Sequence, residues 1–193
     1  MTSSSNCLGK FLLILLSELA IIVCMDTHLQ ILVGPIACGK STYSRAKAEE
    51  GFVIVNDDDL VTAIHGGNYK LYSKELKPVY KAAENAIVQS ALTLGKSVII
   101  DRPNHQSATR ARYISLAKSL DKRTVVVLWP RKSPEIHARR RFYSDHRGHN
   151  IQWWTKVCEI HEDFYEPPNM QKEGFDELLE IENGWIVGRI ENR

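Results

Sequence analysis

Eight consecutive residues, Gly34-Pro35-Ile36-Ala37-Cys38-Gly39-Lys40-Ser41, fit the pattern GxxxxGK[ST] in full. The chemistry this spacing serves is the holding of a chain of phosphates. Two glycines let the backbone curl until successive N–H groups point inward, and the helix that follows adds its positive end. Lys40 can reach the terminal phosphates and the Ser41 hydroxyl can ligate Mg²⁺. The nucleotide-holding set is expected to run from Gly34 through Thr42: Gly34, Pro35, Ile36, Ala37, Cys38, Gly39, Lys40, Ser41 and Thr42. Such a loop binds a nucleoside triphosphate, here taken as ATP, without stating what becomes of its γ-phosphate. Cys38 sits in a cradle defined by backbone, which tolerates varied side chains, so it is not expected to be a nucleophile.

A second group is acidic. Asn56-Asp57-Asp58-Asp59 closes an apolar run, and Ser97-Val98-Ile99-Ile100-Asp101 ends a further apolar run in the Walker-B manner. A carboxylate near bound phosphate can take a proton from an acceptor hydroxyl, which gives about 10²–10⁴-fold in rate. Aspartates after a strand also cap helices, and three of them exceed what one cap needs. Asp101 could hold Mg²⁺ together with Ser41, or orient a partner.

A third group is basic. Arg131, Lys132, Arg139, Arg140, Arg141 and Arg147 stand against only Glu135 and Asp145 between residues 131 and 147. Guanidinium groups arriving at a transferring phosphate neutralise charge that spreads over its oxygens. Three consecutive arginines cannot all face one way, so one of Arg139, Arg140 and Arg141 is expected to be ordinary surface. Arg147 precedes Gly148 on a loop suited to closing. Trp154, Val157, Cys158 and His161 share one helical face and read as packing, whereas a base-stacking role stays conceivable for the Trp153–Trp154 pair.

These groups need positioning by regular elements. Short apolar runs at His28–Val33, Phe52–Val55, Ser97–Ile100 and Thr124–Trp129 read as strands buried on both faces. Helical stretches separate them: one after Gly39 that stops at Gly51, then Ser73–Gly95, then Ser107–Leu120. Two more follow, from Pro134 through the arginine run and over Ile151–Tyr165. Along Ser73–Gly95 an amphipathic pattern places Leu76, Val79, Tyr80, Ala83, Ile87, Ser90, Ala91 and Leu94 on one face. The tail from Leu178 alternates weakly and reads as strand or irregular. Strands alternating with helices predict an α/β fold, three layers deep, with a mainly parallel sheet covered on both faces and an arginine-rich lid.

The chain has 193 residues, with 44% hydrophobic and 25% charged, which is the composition of one globular domain and excludes a disordered or all-membrane protein. A formal net charge of +2 gives no global basic field, so a nucleic-acid partner would be met by a local patch. Four scattered cysteines fit reduced thiols and a cytoplasmic location. Residues 1–24 form a hydrophobic extension whose apolar part, Phe11 to Cys24, is shorter than the roughly 20 residues a bilayer requires. Glu18 sits in its middle, so a membrane is not expected as a partner. Three readings of it stay open. It is a weak membrane or export signal, an extra packed helix, or an extension preceding a natural start at Met25. The domain itself is expected over residues 26–193.

Taken together, the cradle, the strand ending in Asn56-x-Asp58-Asp59, the strand ending in Asp101-x-x-Asn104, and the arginine-rich segment leading to Arg147-Gly148 resemble the phage-type polynucleotide 5′-kinase branch of the P-loop kinases. The resemblance spans Leu29 to Pro168. It implies an ATP- and Mg²⁺-dependent phosphotransferase in which Asp58 is the general base. Lys40 and Arg147 would contact the transferring phosphate, with Arg141 a further lid residue. Asp59, Asp101 and Asn104 would lie on the acceptor side. Where that family carries an arginine two residues after its paired aspartates, this chain has Val61. Three functions therefore remain in play. The acceptor is a polynucleotide 5′-hydroxyl, or it is a small molecule such as a nucleoside, nucleotide sugar or antibiotic, or the chain is a nucleotide-binding switch without transfer.

Overall fold

The computed structural model describes residues 27–144 and 148–192. The extension over residues 1–24 and Arg147 lie outside them. The apolar runs form strands β1 (His28–Val33), β2 (Val53–Val55), β3 (Val98–Ile100) and β4 (Arg123–Leu128). The tail resolves into β5 (Glu177–Glu182) and β6 (Trp185–Glu191). They pair in the order β2-β3-β1-β4-β5-β6, all parallel except β6, which runs antiparallel to β5. Because β3 lies between β1 and β2, the glycine loop after β1, the acids after β2 and Asp101 after β3 emerge together. All three leave the C-terminal edge of the sheet, where ligands of open parallel sheets bind.

Seven helices accompany the strands among the described residues: α1 (Lys40–Glu49), α2 (Asp57–Ile64), α3 (Lys77–Thr93), α4 (Ser107–Ser119), α5 (Pro134–Ser144), α6 (Ile151–Asp163) and α7 (Met170–Glu173). Alternation along β1 divides the core. Leu29, Ile31 and Val33 pack with Val88 and Leu92 of α3 and with Tyr113, Ile114 and Ala117 of α4. Leu32 faces the opposite layer, with Val125, Val127, Trp129 and Tyr43 of α1. The strands bury their apolar residues almost completely, as a sheet covered on both faces should.

Helix α3 departs from the expected face. Leu76, Val79, Ile87 and Leu94 are exposed, and the buried residues are Tyr80, Glu84, Val88, Ala91 and Leu92. Glu84 turns inward because Arg102, Arg112 and the Tyr113 hydroxyl satisfy its carboxylate. A paired carboxylate was therefore accepted on the side where alternation of apolar residues alone predicts a hydrophobe. The β5–β6 hairpin turns on Asn183 and Gly184, both with positive φ (51° and 86°). Asn-Gly flanked by alternating residues is a strong hairpin signal, which gives the irregular-looking tail its form.

The least expected core element is Arg110, which is wholly buried. Its Nε and Nη2 donate to Glu173 at 2.7 Å each, and its Nη1 donates to the carbonyls of Asn104 and His105 at 2.9 Å. Helix α7 is thereby fastened to the loop that leaves β3. Removing one partner of such a pair strands a buried charge, so Arg110→Met should cost about 3–5 kcal/mol of stability. Arg110→Met combined with Glu173→Leu should recover most of that loss. Urea denaturation midpoints measure both, and a single variant as stable as the parent would show that the pair holds nothing.

Candidate active site

The loop after β1 owes its shape to two glycines. A Cβ on Gly34 would lie 2.9 Å from both Cys38 Sγ and Trp129 Cβ, so only glycine lets the loop fold back on itself. Gly39 takes φ 112°, a left-handed value, at the N-cap of α1, where its carbonyl accepts from Thr42 and Tyr43 N–H at 3.1 Å. Lys40 is the first residue of α1 and is buried at 8% exposure. Its ammonium donates to the Gly34 carbonyl at 2.8 Å and the Pro35 carbonyl at 2.6 Å, with Cys38 Sγ at 3.6 Å. Burial lowers the Lys40 pKa, opposed by Cys38 and by the negative charge of Asp101. Among the described residues Lys40 forms no salt bridge, so this cation is held by two carbonyl dipoles and a thiol. Anionic phosphate oxygens are stronger partners than those carbonyls, and the loop fits a polyphosphate on this count. Burial raises the Cys38 thiol, which keeps it protonated and unsuited to nucleophilic work.

The acids are aimed by Asn56. Its Oδ1 caps α2, accepting from Asp58 N–H at 2.9 Å and Asp59 N–H at 3.3 Å, while its Nδ2 donates to the Asp101 carbonyl at 2.9 Å. The Asp101 N–H in turn donates to the Val55 carbonyl at 2.9 Å. The result is a cleft of about 400 Å³ whose walls include Ser41, Asp58, Asp59, Asp101, Arg45 and Arg141. Five residues singled out from sequence thus share one cavity. Asn104 is not among its walls. It is buried with φ 46°, and its Nδ2 donates to the carbonyls of Leu32, Ile100 and Arg102. This amide ties the ends of β1 and β3 together beneath the site. Asp57 is also turned from the cleft, paired with Arg102. Burial, opposed by Arg102, pushes its pKa up to about 6.

Helices α5 and α6 form the arginine-rich lid. Ala138, Trp154 and Cys158 make its small core, and Ile36 of the glycine loop packs against that core. The Arg141 guanidinium stands 5.0 Å from the centre of the Trp154 ring, which positions it over the cleft. Its Nε is buried with no partner among the described residues, a donor left for an anion. Arg139 and Arg140 are exposed, in keeping with three successive arginines facing different ways. Trp153 is 44% exposed and stacks on His149 at 3.9 Å, whereas Trp154 is buried.

A neighbouring cavity of about 410 Å³ was not foreseen. It joins the glycine loop through Gly39 and Thr42 and is walled by Tyr43, Trp129, Pro130, Arg140 and Asn183. Tyr43 and Trp129 meet edge to face at 5.4 Å. Its aromatic walls and size suit a planar base attached to phosphates in the loop. Trp129-Pro130 directly after an apolar strand was the available signal, but nothing in the sequence tells that this strand lies beside the loop.

The fold and the loop together are those of a P-loop NTPase of the three-layer α/β kind. A family model described as AAA domain matches residues 29–159, so the chain belongs to the AAA domain family. No curated protein sequence matches it. Among solved structures, Kti12 of Chaetomium thermophilum in complex with ADP-AlF3 aligns at 16% identity with a TM-score of 0.55, covering 79% of this chain and 88% of that one. A chain of the PezAT chromosomal toxin–antitoxin system of Streptococcus pneumoniae aligns at 15% identity with a TM-score of 0.61, covering 86% and 72%. A chain of the Pnkp1/Rnl/Hen1 RNA repair complex aligns at 20% identity with a TM-score of 0.55, covering 72% of this chain and 46% of that one.

Losing a charge-assisted contact to phosphate costs about 1.5–3 kcal/mol. Lys40→Met should therefore weaken ATP binding by roughly 10- to 100-fold with folding intact. Titration calorimetry reads this directly, and unchanged affinity would remove Lys40 from the phosphate site.

Proposed function

We propose that the protein is an ATP-dependent phosphotransferase that moves the γ-phosphate to a hydroxyl, with a polynucleotide 5′-hydroxyl as the leading acceptor. The observation that carries this reading is the position of Asp58. It is a wall of the cleft that holds Ser41, Asp101 and Arg141, and equally a wall of a second cavity beside it. A carboxylate between two binding cavities is what transfer from one ligand to another requires, whereas a hydrolytic switch needs only the first. Likeness in fold to Kti12, bound to ADP-AlF3, supports nucleotide binding, and likeness to a chain of an RNA repair complex supports a nucleic-acid acceptor.

In this reading the Asp58 carboxylate accepts the proton of the acceptor hydroxyl as its oxygen bonds to the γ-phosphorus. The bond from that phosphorus to the β–γ bridging oxygen breaks, and ADP departs. Lys40 and Arg141 neutralise the charge on the phosphate oxygens, and Arg147 is assigned the same task on the strength of its sequence context. Asp59, a wall of the first cleft, is assigned to the acceptor side on the strength of its sequence context. Ser41 and Asp101 are the residues to hold Mg²⁺, which when bound supplies charge neutralisation at the β- and γ-phosphates. Among the described residues no three or more His, Cys, Asp or Glu side chains cluster around a metal position.

A small-molecule acceptor is the second reading, favoured by Val61, which is 4% exposed and places a methyl-bearing wall in the second cavity. Incubation with γ-labelled ATP and a panel of 5′-hydroxyl oligonucleotides, nucleosides and sugars separates the readings. Label is expected on oligonucleotides, with an acceptor KM that rises steeply with salt; a flat response assigns a small acceptor. Asp58→Asn should lower transfer at least about 10²-fold while leaving ATP affinity nearly unchanged. Equal transfer by that variant removes Asp58 as base, and ATP binding with no labelled acceptor at all assigns the switch.

A further inference from the structure

Strand β6 closes one edge of the sheet, and among the described residues it pairs with β5 alone. Residues directly opposite each other on two strands stand on the same face. Ile190 therefore shares the face of its partner Leu178, and Trp185 that of Glu182. Alternation puts Leu178, Glu180 and Glu182 on one side of β5, the side on which α3 and α4 cover β1. Over β6 this side is open: Trp185 is 78% exposed, Val187 60% and Ile190 55%. Val187 sits beside the irregularity in the β5–β6 register and walls a cavity of about 350 Å³ together with Tyr165, Glu180 and Glu182. The opposite face of β6 carries exposed Ile186 beside Arg189, which binds Glu177 at 2.6 Å and Glu191 at 2.7 Å. Sheet edges are ordinarily blunted by charge, so three large apolar side chains along one side of an edge strand mark a contact surface.

The chain itself holds a segment of matching reach. The apolar stretch from Phe11 to Cys24 ends three residues before Thr27, the first described residue. Thr27 is buried, and its Oγ1 donates to the Gly95 carbonyl at 3.1 Å, which fixes the chain's entry at the edge where β1 begins. Since β1, β4 and β5 are parallel and β6 antiparallel, Ile190 lies at that same edge and Trp185 at the far one. From β1 to β6 is about 14 Å, three strand spacings, and three extended residues reach about 10 Å. Cys24 can therefore stand within one strand of β6. From Ile190 to Trp185 is about 17 Å along the strand, and the stretch from Phe11 to Cys24 is about 21 Å long as a helix. At helical spacing Leu12, Leu15, Leu16, Leu19, Ile22 and Val23 line one face, with Ser17 and Glu18 outside it.

We propose that residues 11–24 of this chain lie along the open side of β6 and cover Ile190, Val187 and Trp185 in turn, with Cys24 at the Ile190 end. Of the three roles open to the extension, this is the packed helix. Glu18 then meets water on the outer side of the cover, whereas within a bilayer its charge would be costly. Two copies meeting through this side would set Glu180 and Glu182 against their own symmetry mates, which disfavours a self-complementary contact. The cover is independent of the transfer reaction, since neither β6 nor the extension supplies a wall of the cleft around Asp58 among the described residues.

Hydrogen exchange of the full chain, read by mass spectrometry, tests this. Peptides spanning residues 11–24 should exchange at least about 10-fold more slowly than free chain, because the cover must open before its amides exchange. Val187→Asp combined with Ile190→Asp should return them to the free-chain rate while β1 and β4 keep their protection. Both side chains are exposed, so the sheet tolerates the change. Leu15→Asp combined with Leu19→Asp leaves the described domain untouched and should release the segment equally, with faster exchange in β6. Free-chain exchange of residues 11–24 in the parent, or protection that survives the β6 substitutions, overturns the assignment. Protection seen only with phosphatidylcholine vesicles overturns it in favour of a bilayer. Protection lost on dilution, with the mass by light scattering falling from dimer to monomer, overturns it in favour of a second copy.

Discussion

The Asn56 side chain uses both ends of its amide, and the geometry of the acids follows from that. Its oxygen satisfies the first N–H groups of α2, so Asp58 and Asp59 start a helix whose direction is set by the cap. Its nitrogen holds the carbonyl of Asp101 at the end of β3, so the two acidic segments cannot move independently. Because β3 separates β2 from β1, this amide also sets how far the acids stand from the glycine loop. Asn104 does the corresponding work beneath, binding carbonyls from β1 and β3, and Arg110 holds the Asn104 carbonyl from below. The cleft is thus framed by hydrogen bonds between neighbouring strand ends.

Within that frame the charges oppose each other across a small space. Lys40 and Arg141 approach from the loop and the lid, Asp58 and Asp101 from the two acidic segments. The Lys40 ammonium is buried yet bonded only to carbonyls and a thiol, and an Arg141 nitrogen is buried with no partner among the described residues. Desolvated donors without full-strength partners are costly unless a ligand completes them. Packing of Ile36 into the lid core links the loop to the helices that carry Arg141, so phosphate binding and lid position are mechanically connected.

Much of this was legible in the sequence because the decisive signals are local. Glycine spacing, apolar runs ending in Asn or Asp, and an arginine-rich helix each depend on a few adjacent residues. Ser41, Asp58, Asp59, Asp101 and Arg141 do meet in one cleft. What could not be read depends on partners far along the chain. The buried face of α3 is set by Glu84, whose partners Arg102, Arg112 and Tyr113 lie 18 to 29 residues away. Nothing local marks Arg110 within its helix, because Glu173, its partner, is 63 positions on. The base-sized cavity needs Trp129 next to Tyr43, which follows from strand order rather than from either residue. Asn183-Gly184 was the exception, a local hairpin signal hidden by a polar, weakly alternating tail.

The most direct measurement is a crystal structure of the protein with a non-hydrolysable ATP analogue and a 5′-hydroxyl nucleotide together. An acceptor hydroxyl within hydrogen-bond reach of Asp58, about 2.6–3.2 Å, and turned toward a γ-phosphate held by the glycine loop, is the predicted result. An acceptor seated away from Asp58, or triphosphate density outside the loop, would contradict transfer centred on that carboxylate.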